Sequence, residues 1–124
     1  MWPCSSSGGE AIGIKILVVD DDAATRECLT EALRLSGHET AACGTAEAAI
    51  LMLPYVDAVI CDGLEGACFR VVATAERLGK AAVIYTASDA VQEAAATLRV
   101  GCVMKPGGLT DLLEALRLRE AVRA

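Results

Sequence analysis

Short apolar runs alternate with longer stretches of helical periodicity along this chain. The first run, at residues 14–19, is rich in β-branched residues and ends in aspartates, which is typical of a buried parallel strand. Four further runs have a similar length or composition. Strands are therefore predicted at residues 14–19, 38–43, 57–61, 81–85 and 102–104.

The stretches between these runs carry apolar residues every three or four positions, which predicts helices. Helices are expected from about residue 23 to 36, 45 to 53, 68 to 78, 88 to 99, and from 110 to at least 122. Polar side chains that can cap a helix and residues that stop one set these limits. The predicted N-caps are Asp22, Thr45, Ser88 or Asp89, and Thr110; the predicted ends are Gly37, Pro54 and Gly79.

Strands alternating with helices predict an α/β fold, in which a parallel sheet has helices on both faces. Right-handed crossovers and the size of the chain favour a doubly wound, three-layer arrangement of five strands and five helices. A chain of 124 residues supports one core. We therefore predict one domain over residues 14–124, preceded by a flexible lead-in at residues 1–13.

Composition narrows the possible functions. Hydrophobic residues make up 54% of the chain but aromatic residues only 3%, which predicts an aliphatic core. The net charge of −6 argues against direct nucleic-acid binding, since no basic stripe replaces phosphate counterions. No apolar run approaches the roughly 18 residues of a membrane span. The N-terminus lacks the pattern of a secretory signal, so a cytoplasmic location is predicted.

Six cysteines raise the question of zinc or disulfides, but their spacing favours neither. No Cys-x-x-Cys pair occurs, and the only histidine, His38, follows no cysteine cluster. Cys61 and Cys102 lie in predicted strands, where a thiol behaves as a small hydrophobe. Reduced structural thiols are therefore expected, with Cys4 on the lead-in the most exposed.

Polar residues that can do chemistry stand at the carboxyl ends of four predicted strands. They are Asp20, Asp21 and Asp22 after the first strand, Asp62 after the third, Thr86 after the fourth and Lys105 after the fifth. Ligands of doubly wound sheets bind beyond this edge. Asp22 is explained as a helix cap. For Asp20 and Asp21, a divalent-cation site competes with plain surface carboxylates, and oxygen ligands suit a hard cation.

The order of these residues resembles that of response-regulator receiver domains, over nearly the whole chain from residue 14. The resemblance rests on ILVVDDD at 16–22, DAVICD at 57–62, VIYTAS at 83–88 and VMKPGG at 103–108. It implies the flavodoxin-like strand order 2-1-3-4-5. It also implies that an aspartate is phosphorylated by a partner, and that the bond between Lys105 and Pro106 is cis.

The resemblance assigns a role to each residue at the strand ends. Asp62 would be the phosphoacceptor, although a strand-end turn residue is the competing interpretation. Mg²⁺ would be held by Asp20, Asp21 and Asp62, together with the backbone carbonyl of Leu64. Lys105 would pair with an oxygen of the acceptor or of the phosphoryl group, although a solvated lysine before a turn is the competing interpretation. Thr86 would donate its hydroxyl to a phosphoryl oxygen.

Two departures from the family pattern bear on these roles. The loop after Asp62 lacks the usual Met-Pro and Asp-Gly and is several residues short, which predicts altered metal binding and phosphorylation. Cys102 stands where the family has an aromatic residue that moves with the threonine, so an altered switch is expected. By strand alternation, Tyr85 is predicted to point to the opposite face from Thr86.

Two functional classes follow. The first is a receiver that accepts a phosphoryl group from a sensor histidine kinase or a histidine phosphotransfer protein. Such a receiver is an acceptor module rather than a turnover enzyme. The second is a degenerate receiver that binds a protein partner without phosphorylation. An acid-phosphatase-like enzyme is disfavoured because the fourth strand ends in threonine rather than an acid. The last helix, with Leu116 to Arg119, is compatible with a homodimer or with core packing.

Overall fold

A computed structural model describes residues 14–123, with side chains described as far as residue 116. The elements are β1 (Lys15–Val19), α1 (Ala23–Leu35), β2 (Glu39–Cys43), α2 (Ala46–Met52), β3 (Ala58–Asp62), α3 (Cys68–Arg77), β4 (Ala81–Thr86), α4 (Asp89–Leu98), β5 (Cys102–Met104) and α5 (Leu109–Arg123). Short 3₁₀ turns cover Leu53–Tyr55 and Leu64–Gly66. The lead-in predicted at residues 1–13 lies outside the described residues.

The strands form one parallel sheet in the order β2-β1-β3-β4-β5, which confirms the predicted fold class and strand order. The register aligns the carboxyl ends of neighbouring strands. Val19 lies opposite Cys61, and Asp62 lies opposite Tyr85. The residues that follow β1, β3 and β4 therefore meet at one edge.

Strand alternation divides the aliphatic core into two layers. Ile16 and Val18 of β1 pack on one face, with Leu33 of α1 and Leu112 of α5. Leu17 and Val19 of β1 pack on the opposite face, against α2, α3 and α4. Tyr85 packs with the α1 and α5 layer, as alternation predicts. Removing aliphatic surface from water on both faces of the sheet is the main stabilising contribution expected of such a core.

Polar caps begin several of the helices where the sequence predicts them. The Asp22 carboxylate accepts the Thr25 N–H at the start of α1, and the Ser88 hydroxyl accepts the Val91 N–H at the start of α4. These bonds satisfy N–H groups that have no partner inside the helix. Gly37 and Gly79 follow α1 and α3 with φ of +97° and +77°, a conformation that glycine adopts without steric cost.

The predicted cap at Thr110 is wrong, because α5 begins one residue earlier, at Leu109. The carbonyl of Gly108 already accepts the Leu112 N–H, so Gly108 stands at the cap position. The Asp111 carboxylate reaches back to the Gly108 N–H at 3.3 Å. Asp111, three residues after the cap, thus satisfies the N–H of the cap residue itself, which is the reciprocal bond of a capping box.

Smaller differences concern α2 and the strand ends. Helix α2 ends at Met52, and Pro54 lies inside the 3₁₀ turn that follows rather than stopping the helix. Proline is tolerated there because the first residues of a helical turn need no N–H donor. Asp62 and Thr86 are the last residues of β3 and β4, whereas the sequence placed them just after.

The five described cysteines are free thiols, as predicted. Burial raises the pKa of Cys68 to about 11, with the Asp62 charge adding to the effect, and burial raises the pKa of Cys61 as well. Thiols held in the protonated form are poor nucleophiles, which fits a structural role. Cys28 of α1 is exposed, and Cys4 lies outside the described residues. Within residues 14–123, no helix is both long and apolar enough to cross a bilayer.

Candidate functional site

The carboxyl edge of the sheet brings Asp20, Asp62 and Lys105 into direct contact. The Lys105 ammonium donates to Asp20 Oδ2 at 3.0 Å and to Asp62 Oδ1 at 2.8 Å. Asp20 is 5% exposed and Asp62 17% exposed, so both carboxylates are largely removed from solvent. Two such carboxylates repel one another, and one shared cation offsets this repulsion.

Asp21 completes an acidic cluster with Asp20 and Asp62. Each of these residues offers a carboxylate oxygen, and the three oxygens lie within 4.8 Å of one another. Asp21 is exposed, Asp62 is partly buried and Asp20 is buried, so the cluster opens to solvent on one side. A set of carboxylate oxygens with an open side fits Mg²⁺, which prefers oxygen ligands and keeps several waters.

The turn between β1 and α1 holds Asp20 in place. Asp20 Oδ1 accepts the Asp22 N–H at 2.9 Å. The Arg26 guanidinium, one turn into α1, donates to the Asp20 carbonyl at 2.6 Å. Sequence reasoning missed Arg26, although its position four residues after the cap places it on the first turn of the helix. Arg26 is therefore a residue that fixes the acidic turn.

The loop after Asp62 forms a left-handed turn. Leu64 and Glu65 have φ of 49° and 54°, and Gly66 follows with φ of 97°. Left-handed backbone costs a non-glycine residue about 1–2 kcal/mol. The Leu64 carbonyl, proposed from the resemblance as a metal ligand, accepts the Ala67 N–H at 3.0 Å. In this short loop, the Leu64 carbonyl thus takes part in a local backbone hydrogen bond.

Thr86 is buried beside Asp62. Its Oγ1 accepts the Ser88 N–H at 3.0 Å, which leaves the hydroxyl hydrogen to donate elsewhere. A Cβ on Gly63 would lie only 2.9 Å from this oxygen, so a larger residue at position 63 would force the Thr86 hydroxyl to move. A pocket of about 400 Å³ opens here, lined by Asp62, Gly63, Leu64, Glu65, Thr86, Ala87, Ser88 and Val91.

Lys105 reaches the cluster from a tight turn after β5. Its bond to Pro106 is cis, as the resemblance implies. The Lys105 N–H donates to the Thr86 carbonyl at 2.8 Å, which ties this turn to the end of β4. The Tyr85 ring lies under the ammonium, with its centroid 5.4 Å from Nζ. Strand alternation predicted the direction of Tyr85, but nothing in the sequence pointed to this contact.

The surroundings of Lys105 act on its pKa in opposite directions. Partial burial would lower the pKa, but hydrogen bonds to Asp62 and Asp20 and the charges of both carboxylates outweigh it and raise the pKa. The ammonium is therefore the form present at neutral pH. The acidic cluster and its cation form one coupled charge network.

This raised pKa predicts a loss of stability at alkaline pH. The folded state binds the Lys105 proton more tightly than the unfolded state does. The resulting stabilisation is complete at pH values below the ordinary value of 10.5 and is lost as the pH rises through the raised value of the folded state. Urea unfolding followed across this range should show a steeper loss for the wild type than for Lys105→Met. Equal losses in the two proteins would contradict the expectation.

Comparison with known proteins identifies solved structures that share this fold. No protein-family model and no curated protein matches the sequence. Solved structures do match the fold. A response regulator receiver protein from Sinorhizobium medicae is 21% identical, with 90% of this chain and 98% of that chain covered at a TM-score of 0.76.

Two further structures extend the likeness. A receiver domain protein from Methanospirillum hungatei is 21% identical, with 91% of this chain and 97% of that chain covered at a TM-score of 0.73. A receiver protein from Pseudomonas putida is 28% identical, with 88% and 99% covered at a TM-score of 0.68. The resemblance inferred from the sequence is thus confirmed, and the chain has the response-regulator receiver fold over most of its length.

Proposed function

We propose that this chain is a phosphoaccepting receiver module in which Asp62 takes a phosphoryl group from a phosphohistidine. The observation that carries the proposal is the position of Lys105, whose ammonium donates to both Asp20 and Asp62. A lysine between carboxylates can exchange one carboxylate oxygen for a phosphoryl oxygen without leaving the site. The same ammonium would therefore serve the unmodified and the phosphorylated states through different oxygens.

In the proposed reaction, a carboxylate oxygen of Asp62 forms a bond to phosphorus as the phosphorus–nitrogen bond of the phosphohistidine breaks. The electron pair of that bond stays with the imidazole nitrogen of the partner. Lys105 pairs with a phosphoryl oxygen, and the Thr86 hydroxyl donates to another. These fixed donors stabilise charge that is spread over the phosphoryl oxygens during transfer.

The metal site of this proposal uses the acidic cluster. Asp20, Asp21 and Asp62 would hold Mg²⁺ through carboxylate oxygens, and the Leu64 carbonyl, which also accepts the Ala67 N–H, would contribute its second lone pair. Mg²⁺ supplies electrostatic stabilisation of the transferring phosphoryl group when it is bound. Arg26 and the Asp22 N–H orient Asp20 for this role. The residues of the chain therefore supply carboxylates, their alignment and the cationic lysine.

The biological setting follows from the same chemistry. The phosphodonor would be a sensor histidine kinase or a histidine phosphotransfer protein, and the chain would accept and lose phosphate rather than turn over a substrate. The proposed phosphoryl transfer involves neither a membrane nor a nucleic acid. The cytoplasmic location and the homodimer stay predictions from the sequence, and side chains from residue 117 onward lie outside the described residues.

One observation favours the alternative, a receiver that binds a protein partner without phosphorylation. The Leu64 carbonyl is already hydrogen-bonded to the Ala67 N–H in a left-handed turn. A carbonyl that shares its oxygen with this N–H would be a weaker ligand, so Mg²⁺ would bind less tightly. The intact set of Asp20, Asp21, Asp62 and Lys105 nevertheless favours phosphorylation, since a pure binding module has no need of it.

Intact-mass measurement separates the two functions. The purified chain is incubated with Mg²⁺ and a small acyl phosphate, beside Asp62→Asn and beside a sample containing EDTA. We expect one added phosphoryl group on the wild type and none in either control. An unmodified wild type, folded by circular dichroism, would favour the phosphorylation-independent module. Addition to Asp62→Asn at the wild-type rate would place the acceptor elsewhere.

A further inference from the structure

We infer that Tyr85 is a positioning residue for Lys105, and that its ring transmits the state of Asp62 to the groove between α1 and α5. This inference rests on the proposed function, because it concerns how the ammonium is held before and after phosphoryl transfer. Tyr85 precedes Thr86 on β4 but lies on the opposite face of the sheet. Nothing in the roles assigned from the resemblance uses it.

Tyr85 contacts both ends of the turn that carries Lys105. Its ring centroid is 5.4 Å from the ammonium nitrogen, within the range of a cation–π contact. Its hydroxyl donates to the Gly107 carbonyl at 2.8 Å. One side chain thus holds the charged tip of Lys105 and the backbone two residues further on. A flexible lysine stem gains a fixed direction from these two contacts.

The turn itself leaves little freedom at Gly107. A Cβ there would lie 2.6 Å from a Val103 methyl and 2.8 Å from the Met104 carbonyl. The Gly107 N–H also donates to that carbonyl, at 2.8 Å. Because the Tyr85 hydroxyl is bonded to the carbonyl of this same crowded residue, Gly107, a shift of the turn would also move the Tyr85 ring.

The ring also forms part of a groove wall on the far side of the sheet edge. The groove has a volume of about 410 Å³, and its lining includes Cys28 and Leu29 of α1, Tyr85 and Gly107, and Leu109 and Leu112 of α5. When Lys105 turns toward a phosphoryl oxygen, its charge moves relative to the ring face. Whether Asp62 carries a phosphoryl group is thereby transmitted through Tyr85 to the groove between α1 and α5. Cys102, which packs on the other face of the sheet, is too small to transmit the same change to that face.

Fluorine NMR tests this inference directly. The chain contains two tyrosines, so uniform fluorotyrosine labelling gives two resonances. Tyr55, which is 77% exposed and lies in the turn before β3, is the internal control. On addition of Mg²⁺ and acyl phosphate, we expect the Tyr85 resonance to shift while the Tyr55 resonance stays in place. Intact mass, measured on the same sample, reports phosphorylation independently.

The outcomes separate the inference from the proposed function. Full phosphorylation with an unmoved Tyr85 resonance would overturn the coupling and leave the receiver function standing. Absence of phosphorylation would overturn the proposed function, and the coupling with it. Lys105→Met provides a second check, because removing the ammonium should itself shift the Tyr85 resonance. An unshifted resonance in that variant would contradict the ring contact.

Two substitutions separate the ring from the hydroxyl. Tyr85→Phe keeps the ring and loses the bond to Gly107, while Tyr85→Leu loses both. We expect phosphorylation to slow about threefold to tenfold in Tyr85→Leu, with most of this loss recovered in Tyr85→Phe. Urea unfolding shows whether each variant is folded. Wild-type rates in a folded Tyr85→Leu would overturn the positioning role.

Discussion

Lys105→Met is expected to lower the free energy of unfolding by about 1–3 kcal/mol and to slow phosphorylation of Asp62 by about 100-fold. The substitution keeps an unbranched apolar stem and removes the only ammonium that contacts both carboxylates among the described residues. Asp20, only 5% exposed, then loses its ion-pair partner. The cost lies below that of a fully buried pair, since Lys105 is 24% exposed.

Mg²⁺ should stabilise Lys105→Met against unfolding more than it stabilises the wild type. With the ammonium gone, Asp20 and Asp62 lose the cation that they share, so a bound divalent cation relieves more of the repulsion within the cluster. Thermal unfolding followed with and without Mg²⁺ should therefore show a larger stabilisation of Lys105→Met. This stabilisation should be absent when Asp21 is also replaced by asparagine.

Lys80→Met is the matched control for this experiment. Lys80 stands just before β4, at the opposite edge of the sheet from the acidic cluster, and its exposure is also intermediate. Its substitution should change the unfolding free energy by less than about 0.5 kcal/mol and leave phosphorylation unchanged. Equal effects of the two substitutions would show that the Lys105 contacts contribute nothing specific.

Gly107→Ala is expected to destabilise the fold by about 1–3 kcal/mol and to reduce phosphorylation. The added methyl group would meet the Met104 carbonyl at 2.8 Å, and backbone of a sheet strand cannot move aside as a flexible side chain can. The turn must shift instead. This shift changes the carbonyl that accepts the Tyr85 hydroxyl and the direction from which Lys105 reaches Asp62.

The neighbouring glycine provides the control. A Cβ on Gly108 would meet nothing within 4 Å. Gly108→Ala should therefore lower the unfolding free energy by less than about 1 kcal/mol, a loss expected because alanine is a poorer N-cap residue than glycine. Urea unfolding and intact-mass phosphorylation of both variants test the pair. A Gly107→Ala protein that matched Gly108→Ala in both assays would contradict the steric argument.

The sequence predicts the sheet edge well because strand periodicity and strand order decide which residues meet there. Asp20, Asp62, Thr86 and Lys105 are far apart in the chain, yet each stands at or just after the end of a parallel strand. Parallel register then brings these ends together. The distances between Lys105 and its two carboxylates follow from topology more than from any local pattern.

Contacts that depend on the paths of loops could not be predicted in the same way. The bond from Arg26 to the Asp20 carbonyl depends on how the chain turns between β1 and α1. The left-handed backbone of Leu64 and Glu65 depends on a shortened loop, and propensity alone argues against it. The cap of α5 depends on the bond from the Gly108 N–H to the Asp111 carboxylate, whereas the local sequence favoured the Thr110 hydroxyl as the cap.

Mapping the phosphorylated residue tests the central claim most directly. The chain is treated with Mg²⁺ and acyl phosphate, reduced with borohydride, which converts an aspartyl phosphate to homoserine, and sequenced as peptides by mass spectrometry. Our account predicts homoserine at position 62, and none at positions 20 to 22. Homoserine at another aspartate, or none at position 62 in a sample whose intact mass shows the added phosphoryl group, would contradict it.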